Sequence, residues 1–160
     1  EPVETVEVRA AIPHGKNAAA VSVIDGDTLS VSMDGHTATV RIDGIDAPDR
    51  GQPFDTAAVE ALSSLVKNRV LTINFTGRDR DGVQLAGIRA GGLDLGATLL
   101  RQGFGWYREE RDACIDCAVF ADAEAEAQLL RRGLWKDNMP VSPWEWRKKR
   151  AGAAMASAAH

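Results

Sequence analysis

Apolar and polar residues alternate with a period of two across residues 21–46. Val21 and Val23 lead into Asp25-Gly26-Asp27, a combination that favours a turn. Leu29, Val31 and Met33 then alternate with Ser30 and Ser32, and Asp34-Gly35 supplies the positive-φ pair that a two-residue hairpin turn needs. The return segment puts His36, Ala38, Val40 and Ile42 on one face and Thr37, Thr39 and Arg41 on the other. A turn at 34–35 pairs Met33 with His36. Apolar then meets apolar and hydroxyl meets hydroxyl along the hairpin.

The period changes after residue 54. Ala58, Ala61, Leu62, Leu65 and Val66 form one stripe of a helix over 55–68, with Asp55 as its N-cap. Residues 69–76 are a β-rich run, and 84–90 form a weaker strand after the polar turn at 77–82. A short helix is expected over about 94–102, stopped by Gly103, and another over about 119–132, stopped by Gly133. Val3, Thr5, Glu7 and Arg9 alternate as a first strand would, whereas residues 151–160 are small and featureless and read as a disordered tail. Five strands and three helices that do not alternate one for one argue against a doubly wound parallel sheet. They fit an α+β fold: a five-stranded Greek-key barrel of the oligonucleotide-binding (OB) type with attached helices. The expected organisation is an extension over 1–20, one domain over 21–147 and a tail over 148–160.

Composition narrows the partners. The chain has 160 residues, 44% apolar and 26% charged, enough for one domain with a real core. No apolar run is long enough to span a membrane. The net charge of −4 argues against binding nucleic acid by overall field, so a polyanionic substrate would need local positive groups and a bound cation. The two cysteines, Cys114 and Cys117, lack the second ligand pair that zinc needs and the βαβ context of a thiol redox site. A local disulfide or two free thiols remain. The chain starts at Glu1 without an initiating Met, consistent with a removed leader or a chosen boundary.

Five aspartates fall in two short stretches, Asp25 and Asp27, then Asp43, Asp46 and Asp49. The hairpin register sets Asp27 opposite Ile42 and Asp25 opposite Gly44, so the carboxylates converge at the open end of the hairpin. Each close pair costs on the order of 1 kcal/mol or more at surface-like screening. A hard divalent cation removes that cost, and oxygen ligands suit Ca²⁺. Solvated turn aspartates are the other reading. Arg41 is either a two-point phosphate clamp or an exposed strand arginine paired with an Asp. Strict alternation puts Arg41 and Asp27 on opposite faces, so twist or bending at Gly26 and Gly44 would have to unite them.

Val23-Ile24-Asp25-Gly26-Asp27-Thr28, followed by Arg41-Ile42-Asp43-Gly44-Ile45-Asp46-Ala47-Pro48-Asp49, resembles the two opening motifs of the staphylococcal nuclease (thermonuclease) family. Leu100-Arg101-Gln102-Gly103, residues 123–127, Arg132-Gly133-Leu134-Trp135 and the Pro-Trp-Glu-Trp-Arg segment at 143–147 extend the likeness over about residues 20–147. The resemblance implies that Asp27, Asp46 and the Ala47 carbonyl hold Ca²⁺, that Arg41 is the first of two phosphate-gripping arginines, and that Asp49 is the base or orienter of the attacking water. It also implies cleavage of DNA or RNA, preferably single-stranded, to leave 3′-phosphate ends. Export to the periplasm or the medium is expected from the family and the absent Met, and a monomer without membrane attachment is expected.

Two positions depart from the family pattern. Asp49 stands where Glu is usual, about 1.5 Å short in reach, and a misplacement of about an ångström can cost roughly a hundredfold in rate. Val83 occupies the slot of the second arginine, whose loss commonly costs about a hundred- to a thousandfold. Arg80, Arg78 and Arg89 are nearby substitutes that strand parity gives no reason to expect, and Gln84 offers a weaker, neutral hydrogen bond. Two readings stay open: an active nuclease, and a binding module on the same fold with impaired catalysis. Trp106 and Tyr107 either stack on bases or pack against the barrel edge. Arg147-Lys148-Lys149-Arg150 either touches phosphate or is a solvated run. His36 has a structural role beside the turn.

Overall fold

The computed structural model describes residues 15–108 and 117–158. The expected strand over 3–9 and Cys114 lie outside these residues.

Strand β1 (Lys16–Asp25) turns into β2 (Thr28–Met33), which returns as β3 (His36–Ile42). Asp34 and Gly35 take φ values of 51° and 77°, the left-handed pair that the hairpin turn requires. The β2–β3 ladder runs from Thr28↔Arg41 to Met33↔His36, as the alternation predicts. A two-residue strand β4 (Ile45–Asp46) and helix α1 (Asp55–Val66) follow, then β5 (Val70–Arg78) and β6 (Gln84–Ala90). The hydrogen-bonded order is β3-β2-β1-β5-β6, and β6 closes the ring by pairing in parallel with β3 through Val40↔Gln84, Arg41↔Leu85 and Ile42↔Ala86. The fold is thus an α+β, five-stranded closed barrel of OB type. Closure removes the exposed edges of an open sheet. β1 serves both neighbours because bulges between Ala20 and Ser22 and between Val23 and Asp25 bend it.

The barrel is filled by Leu29, Val31, Val40, Ile42, Leu71, Ile73 and Ile88, all essentially inaccessible. Each such side chain contributes about 1.5–3 kcal/mol by burial. After β7 (Leu93–Asp94) comes α2 (Leu95–Gln102), whose Leu95, Leu99 and Leu100 join that core. Asp94 caps α2 through the Ala97 N–H at 2.9 Å. Beyond it lie β8 (Trp106–Tyr107), α3 (Cys117–Leu129), a 3-10 turn (Gly133–Lys136) and α4 (Pro143–Ala158). β8 pairs with β4.

Three expectations are corrected. Residues 151–158 continue α4, giving four helices among the described residues where three were expected. Five of these eight residues are Ala, the strongest helix former, and they extend a turn already anchored at Pro143. Asp55 is the first residue of α1 and Phe54 occupies the cap position. The Asp55 carboxylate instead accepts the Gly51 N–H at 2.8 Å and that of Thr56. α3, described from Cys117, stops at Leu129, three residues short of its expected end. The two-residue strands β4, β7 and β8 are too short to leave a periodic signal. No helix among the described residues is long and apolar enough to cross a membrane.

Candidate active site

The site grows from the β1–β2 turn. Asp25 pairs with Thr28, so it belongs to the incoming strand and does not face Gly44 as the register argument expected. Gly26 is pressed between two elements: a Cβ there would lie 2.6 Å from the Ala58 Cβ and 2.9 Å from the Ala47 Cβ. That close approach tucks Asp27 inward, where it is only 6% exposed. Its Oδ1 accepts the Thr28 hydroxyl at 2.8 Å and its Oδ2 accepts the Ala47 N–H at 2.9 Å. The Asp27 carbonyl accepts the Ile42 N–H, fixing the turn to the end of β3.

Arg41 stands opposite Thr28 in the ladder. Its Nε is 3.7 Å from Asp27 Oδ2, Nη2 is 3.4 Å from Asp46 Oδ1 and Nη1 is 3.7 Å from Asp79 Oδ2. Alternation does not separate Arg41 from Asp27, because Asp27 lies in the turn and is not bound by the pleat. Gly44, at φ 84°, bends the chain from β3 into β4, and a Cβ there would meet the Phe120 ring at 2.8 Å. The bend delivers Asp46, 2% exposed, beneath Arg41.

Asp46 collects two further arginines. Arg147 Nη2 is 2.6 Å and Arg108 Nη1 3.2 Å from its Oδ2. Arg147 Nε also lies 3.6 Å from Asp49 Oδ2. Three guanidinium groups from β3, the end of β8 and α4 therefore share one buried carboxylate. Such charge-assisted contacts suit Arg, whose planar fork reaches two acceptors at once. Sequence reasoning noticed Arg147 as the last residue of Pro-Trp-Glu-Trp-Arg and the first of a basic run. It gave no sign that Arg147 reaches Asp46, 101 residues away, and it missed Arg108 altogether.

Burial pushes the Asp27 carboxyl above its ordinary value. The Arg41 charge, the Ala47 N–H and the Thr28 hydroxyl oppose that rise, and the charge of nearby Asp46 adds to it. Asp49 is raised mainly by burial, with Arg147 pulling it down and Asp46 and Asp25 pushing it up. The Asp49 N–H donates to Gln52 Oε1 at 3.0 Å, and Gln52 Nε2 donates to the Val141 carbonyl at 2.5 Å. Buried Gln52 thereby ties the Asp49 loop to the segment entering α4.

Two cavities flank these groups. The larger, about 710 Å³, is lined by Arg41, Arg78, Arg80, Arg108, Arg147 and Lys148, with Asp79, Asp81 and Trp144 among them. The smaller, about 290 Å³, is lined by Asp25, Asp27, Ala47 and Asp49, with Arg50 and Arg150 at its side. Among the described residues no three carboxylate, His or Cys side chains are grouped closely enough to cage a metal. The charge of nearby Asp46 raises the cost of ionising Asp27, and Asp27 opens onto an acid-lined space. That donor set fits a hard cation held by two carboxylates and otherwise by backbone oxygen and water.

The remaining predicted residues separate. Arg80 lines the large cavity, whereas Gln84 pairs with Val40 and Arg78 at the start of β6 and is not among the lining residues. Val83 is folded into a loop closed by Asp79, which accepts its N–H at 2.9 Å and donates back to its carbonyl. Trp106 packs edge-on to Trp135 and Trp144, with ring centroids 4.5 and 5.7 Å away. Tyr107 packs on the core and donates its N–H to Glu124. Neither lines the cavity. Trp144 does, with Arg108 Cζ 5.1 Å from its ring.

Comparison with known proteins agrees with this geometry. The family model described as staphylococcal nuclease homologue matches residues 39–137. The chain is 32% identical over 138 residues to a protein of Escherichia coli O157:H7 named "Uncharacterized endonuclease", covering 86% of each. It is 31% identical over 137 residues to the "Micrococcal nuclease" of Shigella flexneri, covering 80% of this chain and 78% of that one. It is 34% identical over 116 residues to the rice protein named "Probable staphylococcal-like nuclease CAN1" (Oryza sativa subsp. japonica), covering 72% of this chain and 34% of that one. With a closed OB-type barrel, and Asp27, Arg41 and Asp46 gathered at one end of it, the chain belongs to the staphylococcal nuclease homologue family.

Proposed function

We propose that this protein is a Ca²⁺-dependent nuclease that hydrolyses phosphodiester bonds of DNA or RNA, with single strands preferred. The observation that carries the reading is the contact of Arg41 with both Asp27 and Asp46 at one end of the barrel. Asp27 and Asp46, with the Ala47 carbonyl, would hold the ion. When bound, calcium supplies a Lewis acid that neutralises charge on the phosphodiester. Arg41 grips a non-bridging phosphate oxygen. Asp49, its carboxyl raised by burial, orients the attacking water and takes its proton. The six cationic side chains around the large cavity provide the local attraction that a chain of net charge −4 lacks overall. Cationic side chains beside Trp144 suit a single strand's phosphates and bases.

Val83 favours a second reading, a nucleic-acid-binding module of the same fold with little catalysis, because valine supplies no charge to a transition state. One assay decides between them. Single-stranded DNA is incubated with the protein in Ca²⁺ and in EDTA, beside Asp46→Ala. Cleavage that requires both the ion and Asp46 is expected. No cleavage at high protein concentration, with the oligonucleotide still bound, would support the binding module. Asp49→Glu combined with Val83→Arg is expected to raise the rate by about tenfold or more, since each restores reach or charge.

A further inference from the structure

We infer that Arg147, on α4, is a catalytic residue of this site, the guanidinium that meets the scissile phosphate beside Arg41. The inference rests on the nuclease reading above. Hydrolysis of a phosphodiester builds negative charge on the non-bridging oxygens, and preorganised cations aimed at that charge supply much of the acceleration. Arg41 is poorly placed to do this alone. Its side chain is only 14% exposed, and each of its three guanidinium nitrogens lies within 3.7 Å of a different carboxylate. Arg147 has the opposite character, with a side chain 45% exposed at the wall of the large cavity. Nη2 is held by Asp46, and Nε by the Pro143 carbonyl and Asp49. Nη1 has no hydrogen-bond or ion-pair partner among the described residues.

Position and rigidity point the same way. Arg41 and Arg147 contact opposite oxygens of the Asp46 carboxylate, so a phosphate at that edge can meet both. Arg147 also spans from Asp46 to Asp49, the group that faces the attacking water. Its mounting is firm. The Ser142 carbonyl accepts the Trp146 N–H, Trp144 packs on Trp106, and Gln52 anchors Val141. Arg108 reaches Asp46 as well, but its guanidinium lies against the Trp144 ring and has no contact with Asp49 among those described.

The test compares Arg147→Ala, Arg147→Lys and Arg108→Ala on a single-stranded DNA oligonucleotide in Ca²⁺, measuring kcat, KM and thermal midpoint. Arg147→Ala is expected to lower kcat by about a hundred- to a thousandfold. Arg147→Lys should recover less than a tenth of the parent rate, because a point charge cannot replace the fork. Arg108→Ala should cost less. A kcat for Arg147→Ala within threefold of the parent, or a larger loss for Arg108→Ala, overturns the inference. Should the alanine variant not fold, Arg147→Gln, whose amide ends where Nε lies and so keeps reach of the Pro143 carbonyl but not of Asp46, carries the same expectation. Binding of the same oligonucleotide in EDTA is the second readout. Removing Arg147 should flatten the dependence of log affinity on log salt by about 0.7, one phosphate contact. A parent that binds without cutting disproves the nuclease reading, and the salt slope then decides for Arg147 as a phosphate contact: an unchanged slope overturns it. A parent that neither binds nor cuts overturns both.

Discussion

The two sides of the site are built by different means. The hairpin side, Asp27 and Arg41, is fixed by the barrel's own ladder: Thr28↔Arg41 pairing, the Ile42 N–H to the Asp27 carbonyl, and Gly26 pressed against Ala47 and Ala58. The helix side, Arg147 on α4, is docked from a distance by Gln52, the tryptophan cluster and its own ion pairs. Carboxylates that must stay close despite repulsion are placed where backbone hydrogen bonds leave them no alternative. Arg108 and Arg147, which answer them from outside the hairpin, are held by side-chain contacts instead. The first side should therefore fail only with the barrel, and the second should loosen while the barrel stays intact.

Of the changes that tell the two sides apart, Gly26→Val gives the largest expected effect. Contacts of 2.6 and 2.9 Å from a Cβ cannot be absorbed without moving α1 or the Ala47 loop. Overpacking of this kind costs about 1–3 kcal/mol, read as a lowered urea midpoint. Cleavage should fall by roughly a hundredfold with it, because Asp27 and Ala47 shift together. A variant that loses stability but keeps its cleavage rate would show that the turn does not set the site.

Gln52→Ala probes the other side. It leaves the Asp49 N–H and the Val141 carbonyl without their partner, and a polar group stripped of its hydrogen bond costs about 1–3 kcal/mol where buried. Hydrogen exchange should quicken in residues 49–55 and in the first turn of α4 and stay unchanged in β2 and β3. kcat should drop several-fold. Exchange that rises evenly over the molecule would mean that the two sides are one cooperative unit.

The same division explains what could be read from the chain itself. The β2–β3 register, the helix over 94–102 and the strand over 84–90 follow from short-range periodicity and turn chemistry, and each is present close to its expected bounds. The convergence of the acidic segments at the open end of the hairpin followed from that register; Arg41 meets Asp27 against strict alternation because Asp27 lies in the turn, and Asp25 does not face Gly44 because the turn at Gly26 starts a second hairpin. Arg108 and Arg147 could not follow. Their contacts with Asp46 span 62 and 101 residues and depend on how β8 and α4 are docked, which no local pattern encodes. Residues 151–158 misled for another reason: small alanines look featureless, yet they propagate a helix already begun.

The smallest expected effect concerns how β8 is held. The Tyr107 N–H donates to Glu124 Oε2 at 2.6 Å, which fastens β8 to α3 just before Arg108. Burial raises the Glu124 carboxyl above its ordinary 4.5, and the Tyr107 N–H only partly offsets this. A carboxyl raised by folding favours the native state most when protonated in both states. That contribution is complete below pH 4.5 and is lost as pH climbs through the raised folded value. The ionised, half-buried group is then a constant burden at neutral pH. Glu124→Gln keeps an oxygen for the Tyr107 N–H but cannot ionise. The difference in thermal midpoint, variant minus parent, should therefore move in the variant's favour between pH 4 and pH 7 and level off above. A difference that moves the other way would mean that the charged form of the Tyr107 bond outweighs its desolvation. The helix side of the site would then be held by electrostatics as firmly as the hairpin side is held by its ladder.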